Sequence, residues 1–301
     1  KHNRNASFDV VSNPEFLREG SAIEDFMRPN RVIIGCENEK SKKIMENIYQ
    51  PLNLIQTPIL FTDLKSAELI KYASNAFLAM KISFINQMAD LCESLNTDIH
   101  FISRGMGLDK RIGDKFLHPG PGYGGSCFPK DTIALSKIAS DNNVDLSIIN
   151  NVISYNKNRK KSLIKKINHI LGNDIKDMSV AVLGLSFKPG TDDMRESPSL
   201  DLIPSLVENV KEIKVYDPIA MDEASKYIKD VYFAKNIEDC IQNVDVTIIL
   251  TEWSEFRTLS AHFLSKFMKG NVVVDFRNAL NPENFLNKNF TLHQVGRGPF
   301  N

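Results

Sequence analysis

The chain has 301 residues, 42% of them hydrophobic, and its 37 basic and 37 acidic side chains leave a formal net charge of zero. That balance provides no basic surface for nucleic acid or an anionic membrane, and no apolar run approaches the roughly 18 residues of a membrane span. The length suits a globular protein of about two domains.

Residues 8–12 (FDVVS) read as a short buried strand, followed by a turn and a polar segment carrying Glu15 and Glu19 four apart. RVIIGC is a second apolar strand, SKKIMENIYQPL a helix broken by Pro51, and PILFTD a third strand. This is the pattern of the last part of an α/β domain. The first residue is Lys1 rather than Met, directly before a strand, which reads as a fragment. Thr62 or Asp63 then caps a helix running to about Leu95. Its apolar positions Ala73, Phe77, Met80, Phe84, Met88, Leu91 and Leu95 form a stripe expected to be core, in an interdomain spine or a dimer helix. Lys71 and Asn75 share another face, one turn apart, beside small residues that admit a ligand; a solvated polar face is the plainer alternative.

A helix over 98–107 leads to residues 118–132, HPGPGYGGSCFPKDT, around which the chain is organised. Gly120, Gly122 and Gly125 fit a G-x-G-x-x-G pattern, but residues 109–118 contain no apolar strand run, so the dinucleotide fingerprint is rejected. Pro129 and the apolar Ile133, Leu135 and Ile138 mark a helix whose N-terminus lies at or just after Cys127. The positive end of that helix is expected to lower the Cys127 pKa, with Asp131 one turn on to hold a water or proton. The alternative is a surface loop with an inert buried cysteine. The remaining cysteines, Cys36, Cys92 and Cys240, are far apart and read as core fillers; no spacing points to a metal, and free thiols fit a reducing cytoplasm. A long amphipathic helix over 146–171 ends at Gly172, and its basic run (Arg159 to Lys161, Lys165, Lys166) reads as a solvated face. GNDIKD reads as a domain boundary.

From Ser179 strands and helices alternate regularly: SVAVLGLSF, EIKVYDP, YFA, VDVTIILT, NVVVDFR and FTLHQVG as strands, with SLDLIPSLVENV and NIEDCIQN as helices. The expected fold is α/β, ending in a doubly wound parallel sheet of five or six strands. Ligands bind such sheets beyond the carboxyl ends of the strands, which here carry GLSFK (184–188), Asp217, TEW (251–253) and Arg277. One glycine after the first strand does not support a full dinucleotide site, whereas Lys188 and Arg277 suit a phosphate or diphosphate.

NPEFLREG, the KYASN helix, DKRIGDKF, GYGGSCFPKD and GLSFKPGTDDMRES, in that order and across essentially the whole chain, resemble the UDP-glucose branch of the UDP-glucose/GDP-mannose dehydrogenase family. The resemblance implies residues 1–62 as the end of a Rossmann-type NAD-binding domain, 63–172 as a central helical dimerisation domain with the cysteine loop, and 173–301 as a Rossmann-like UDP-binding domain. It also implies NAD as cofactor, a homodimer or larger homo-oligomer, and a cytoplasmic enzyme that oxidises C6 of UDP-glucose twice to UDP-glucuronate.

Carried over residue by residue, Cys127 resembles the nucleophile that forms a thiohemiacetal and then a thioester. Lys71 and Asn75 resemble the pair that stabilises the oxyanion, Asp131 an aspartate that handles water, and Glu15 a glutamate acting as base in thioester hydrolysis. Substrate contacts fall at Glu15, Phe16, Leu17, Arg18, Glu19, Lys71, Asn75, His118, Pro119, Gly120, Pro121, Gly122, Tyr123, Gly124, Phe187, Lys188 and Arg277, with Arg111 reaching across the dimer. Cofactor contacts fall at Glu19, Cys127, Lys130 and Arg195. The glycine fingerprint for NAD is expected upstream of Lys1, so the chain by itself is expected to turn over poorly. The alternatives are a sister dehydrogenase for GDP-mannose or UDP-N-acetylmannosamine, or a non-catalytic sugar-nucleotide-binding module.

Overall fold

The computed structural model describes residues 7–55, 57–172 and 175–300. Lys1 lies outside them, as do Asn173 and Asp174 of the expected GNDIKD boundary. Contacts divide the chain into two units, Lys1–Asn75 and Ala76–Asn301.

The first unit holds β1 (Val11–Ser12), α1 (Ala22–Met27), β2 (Val32–Cys36), α2 (Glu39–Tyr49), a 3-10 turn (Gln50–Ile55) and β3 (Ile59–Thr62). β2 pairs antiparallel with β1 and parallel with β3. Its small core is Val32, Ile34 and Leu52, packed by Met45, Tyr49 and Phe61. The Asn38 side chain accepts from Ser41 N at 2.8 Å to start α2, and the helix stops two residues before Pro51. The expected strand over 8–12 contracts to its last two residues, and the polar segment after it contains α1, whose two acidic residues sit in its first turn.

α3 (Leu64–Leu95) starts at Asp63, which accepts from Ser66 N at 2.9 Å. The boundary between the units falls within this helix. The second unit continues through α4 (Ile99–Gly107), α5 (Cys127–Asp141) and α6 (Ser147–Leu171). There follow β4 (Ser179–Leu183), α7 (Ser199–Val207), β5 (Glu212–Tyr216), α8 (Met221–Tyr227), β6 (Tyr232–Phe233), α9 (Ile237–Ile241), β7 (Val246–Ile249), α10 (Ala261–Leu264), β8 (Val272–Asp275) and β9 (Thr291–Gln294). The six strands form one parallel sheet in the order β6-β5-β4-β7-β8-β9. Chain direction across the sheet reverses between β4 and β7, which opens a crevice at their carboxyl ends. β4 and β7 are buried along their whole length because helices cover both faces, so their sequences are unbroken apolar runs.

Two expectations are corrected. In the second unit the α3 stripe is only partly core: Phe77, Phe84, Leu91 and Leu95 are exposed, while Met80 and Met88 are partly buried and pack against the buried clusters. The buried face carries Ala76, Ala79, Ser83, Ile85, Asn86, Ala89 and Cys92, mostly small side chains that let neighbouring backbone come close. Apolar periodicity marks a face that avoids water but does not say what covers it. The basic run on α6 is not simply a solvated face either, because Arg159 and Lys160 are buried while Lys161 and Lys165 are exposed.

Candidate active site

Among the described residues no helix or strand lies between α4 and α5, and Cys127 is the first residue of the 15-residue α5. Its half-buried thiol has Sγ 3.6 Å from Ser126 Oγ. A helix N-terminus leaves unbonded amides and a positive end, where an anion is stabilised. Asp131, one turn on, is buried, with Oδ1 3.9 Å from Lys130 Nζ. Lys130 and His118 are exposed.

The seven residues 119–125 are all buried. Gly120 N donates to Asn86 Oδ1 at 2.8 Å and Gly120 O accepts from Arg159 Nε at 2.7 Å. Asn156 accepts from Tyr123 N at 2.9 Å and donates to Tyr123 O at 3.0 Å. Lys160 Nζ donates to Glu196 O at 2.8 Å and to Glu196 Oε2 at 2.6 Å. Gly124 faces that turn so closely that a Cβ there would lie 2.4 Å from Glu196 O. Gly125 has φ +77° and donates its N–H to Arg195 O at 2.8 Å. Asn86 and Asn156 went unnoticed in the sequence, and Arg159 and Lys160 read there only as part of a solvated basic run. The available signal was polar and charged residues at i, i+3 and i+4 on α6, Asn156, Arg159 and Lys160, beside an otherwise apolar stripe.

The loop rests on the carboxyl ends of the sheet strands, where the expected nucleotide residues meet. A Cβ on Gly120 would lie 3.5 Å from Arg277 NH1, and one on Gly125 would lie 2.6 Å from the Phe187 ring. Arg277 donates to Leu250 O and Phe187 O, both at 2.7 Å, and its Nε lies 3.1 Å from Glu252 Oε2. Thr251 Oγ1 donates to Ser186 O at 2.6 Å. Lys188 Nζ lies 5.4 Å from the centre of the Phe187 ring. Arg195 is mostly exposed and forms a two-pronged pair with Asp193, both bonds at 2.9 Å. Arg111 is likewise exposed and pairs with Asp109 through Nε at 3.0 Å and NH2 at 2.6 Å.

The other expected site residues lie in the first unit. Lys71 Nζ donates to Glu15 O at 2.8 Å and to Glu15 Oε1 at 2.5 Å, so the expected lysine and glutamate meet. Glu15 Oε2 also accepts from Leu17 N at 2.7 Å. Asn75 lies one turn after Lys71 on α3 and is half-buried. Phe16 lies under the Arg31 guanidinium, 3.6 Å from its ring centre. Arg18 pairs with Asp25 through Nε and NH2, which raises the guanidinium pKa through hydrogen bonding and charge. Glu19 is exposed.

The turn after β4 does not form a dinucleotide cradle. Such a cradle needs free amides in a glycine-rich turn after the first strand. The turn after β4 has one glycine, Gly184 (φ +91°), where a Cβ would lie 2.5 Å from Thr251 Cβ. The next two amides are already taken: buried Asp217 accepts from Leu185 N at 2.8 Å and Ser186 N at 3.2 Å, and also from Trp253 Nε1 at 3.1 Å. The sheet thus uses an internal carboxylate where a dinucleotide would place its phosphates.

Comparison with known proteins fits this arrangement. Residues 65–158 match the central domain of the UDP-glucose/GDP-mannose dehydrogenase family, residues 181–282 its UDP binding domain and residues 1–53 its NAD binding domain. The chain is 46% identical over 294 residues to UDP-glucose 6-dehydrogenase of Rhizobium meliloti, covering 97% of this chain and 67% of that protein. It is 44% identical over 295 residues to the enzyme of the same name from Rickettsia conorii, covering 97% and 68%. A UDP-glucose dehydrogenase structure from Pyrobaculum islandicum superposes with a TM-score of 0.86 at 35% identity, covering 98% of this chain and 65% of that one. The chain therefore spans about two thirds of the length of these relatives. With all three family models matched in order, and identity well above 30% along nearly its whole length, the chain belongs to the UDP-glucose/GDP-mannose dehydrogenase family.

Proposed function

We propose that this chain carries the nucleophile and the sugar-nucleotide side of an NAD-dependent enzyme that oxidises C6 of UDP-glucose to UDP-glucuronate. One observation carries the reading: Cys127 heads α5 at the end of a buried glycine loop that rests on Phe187 and Arg277, at the carboxyl ends of the nucleotide-type sheet. The names of the relatives and the UDP-binding match support the substrate, and the match of residues 1–53 supports NAD. NAD, when bound, supplies the acceptor for the hydrides lost from C6.

In this reading the C6 alcohol first loses a hydride and its hydroxyl proton to become an aldehyde; the Cys127 sulfur then adds to that carbon and forms a C–S bond, giving a thiohemiacetal, and loss of a second hydride and the hydroxyl proton gives a thioester. Lys71 donates to the C6 oxygen as negative charge develops there, with Asn75 beside it. Glu15 or Asp131 takes the proton of the attacking water, the C–S bond breaks, and the thiol and the carboxylic acid are released. Residues 118–124 enclose the sugar, and Phe187, Lys188 and Arg277 hold uridine and diphosphate; residues 16–19 are assigned as further substrate contacts by the family resemblance. By the same resemblance Arg195, Lys130 and Glu19 are assigned as cofactor contacts, and Arg111 serves the neighbouring subunit.

The three-part division at 1–62, 63–172 and 173–301 is supported by the ranges of the family models. A homodimer is supported by the exposed Phe77, Phe84, Leu91 and Leu95 of α3, an apolar stripe suited to a second copy. The four free cysteines suit a cytoplasmic setting.

The test is NADH production by the complete protein with UDP-glucose, GDP-mannose and UDP-N-acetylmannosamine, for wild type and Cys127→Ser. Activity with UDP-glucose, lost in Cys127→Ser while calorimetric UDP-glucose binding persists, is expected. Turnover of another sugar instead points to a sister enzyme. Acid formed at the normal rate by Cys127→Ser removes the nucleophile assignment.

A further inference from the structure

From Gly120 to Gly124 the backbone makes no hydrogen bond to other backbone among the described residues. Side chains of α3 and α6 supply those bonds instead. Asn86 engages the loop through Oδ1 alone, and Arg159 divides its donors among Gly120, Asp90 and Tyr155. Asn156 is different, because both of its amide atoms hold one residue: Oδ1 takes the Tyr123 N–H and Nδ2 donates to the Tyr123 carbonyl. That is the pairing a neighbouring strand would provide, and here it comes from one buried side chain on a helix. The Tyr123 ring meets Phe128 edge-on at 6.2 Å, and Phe128 directly follows Cys127. Tyr123, Phe128, Ala79 and Val152 share one apolar cluster, so a shift at Tyr123 reaches the first turn of α5.

We propose that Asn156 is a positioning residue for Cys127: by pairing both backbone groups of Tyr123 it sets where the first turn of α5, and with it the thiol, stands relative to the bound sugar. The proposal rests on Cys127 as nucleophile. Asn156 itself touches neither the reacting atoms nor the cofactor in this scheme. Its effect is geometric, so its loss falls on turnover rather than on nucleotide binding, which the strand ends supply.

The experiment uses the complete protein with Asn156→Ala and the nearly isosteric Asn156→Asp, which still accepts from Tyr123 N but sets a carboxylate oxygen against the Tyr123 carbonyl. Four quantities are read: kcat, KM, calorimetric Kd for UDP-glucose, and the rate of Cys127 labelling by iodoacetamide, followed on its peptide by mass spectrometry. Because a misplacement of about 1 Å costs up to about a hundredfold in rate, kcat should fall about ten- to a hundredfold, with KM and Kd within about threefold and labelling changed at least about fivefold. If Asn156→Ala does not fold, Asn156→Asp decides. A folded variant with wild-type kcat and labelling rate overturns the proposal, as does a loss confined to KM. An inactive wild type would instead sink the enzymatic reading and leave the labelling rate to judge this one.

Discussion

Arg159→Met tests whether the glycine loop is held by a buried charge or by a surface ion pair. The Arg159 side chain is 5% exposed and its partner Asp90 is 51% exposed. Methionine retains much of the aliphatic packing but removes the donor to Gly120 O at 2.7 Å. Gly120 is buried, and a buried acceptor left without a donor costs about 1–3 kcal/mol. Asp90 can return to water, so the lost ion pair adds at most about 1 kcal/mol. The expected destabilisation is about 1–4 kcal/mol, and Asp90→Asn should cost under about 1 kcal/mol.

The single tryptophan makes this readable. Trp253 is buried in the second unit and donates to Asp217, so its fluorescence reports unfolding of that unit. With a urea slope of about 3 kcal/mol per M, Arg159→Met should lower the midpoint by about 0.3–1.3 M. If Arg159→Met and Asp90→Asn lower the midpoint equally, the buried bond to Gly120 contributes nothing beyond the ion pair and the reasoning fails.

Gly124→Ala places a Cβ 2.4 Å from Glu196 O and 3.0 Å from Phe187 Cβ; it should cost about 1–3 kcal/mol by overpacking, and an unchanged urea midpoint would show that the Glu196 turn yields freely. Burial pushes the Cys240 thiol far up, and Cys92 is also raised, so iodoacetamide at pH 8 should label Cys127 in the native protein and spare Cys240; comparable labelling of the two on peptide maps would contradict this. Burial likewise pushes the Tyr155 hydroxyl up to about 12. A tyrosine with a raised folded pKa favours the native state fully below its unfolded value near 10, and that contribution is lost as pH rises from about 10 to 12. Tyr155→Phe should therefore flatten the alkaline limb of stability over that window, and an unchanged limb in urea melts from pH 9 to 12 would refute the assignment.

The strands of the second unit were legible because a parallel sheet covered on both faces needs unbroken apolar runs, and VAVL, VTII and VVVD have no other use. Cys127 at a helix N-terminus was legible from Pro129 and the periodicity after it. α8 was missed because its seven residues are too short for a periodic signal. The exposed half of the α3 stripe was misread as core because apolar periodicity looks the same whether or not the chain itself covers that face.

Local sequence by itself thus determined most of the elements, the strand ends and the residue types that carry the chemistry, because capping, periodicity and chain punctuation are short-range. Tertiary structure decided which distant groups meet. It set Lys71 on Glu15, put the glycine loop on Arg277 and Phe187, assigned Asn86, Asn156 and Arg159 to hold a backbone that has no strand beside it, and set Lys160 on the Glu196 turn behind that loop. It also filled the amides after β4 with the Asp217 carboxylate. Such pairings join residues more than thirty positions apart, and a buried polar group finds its partner only after the packed chain has removed water as the alternative.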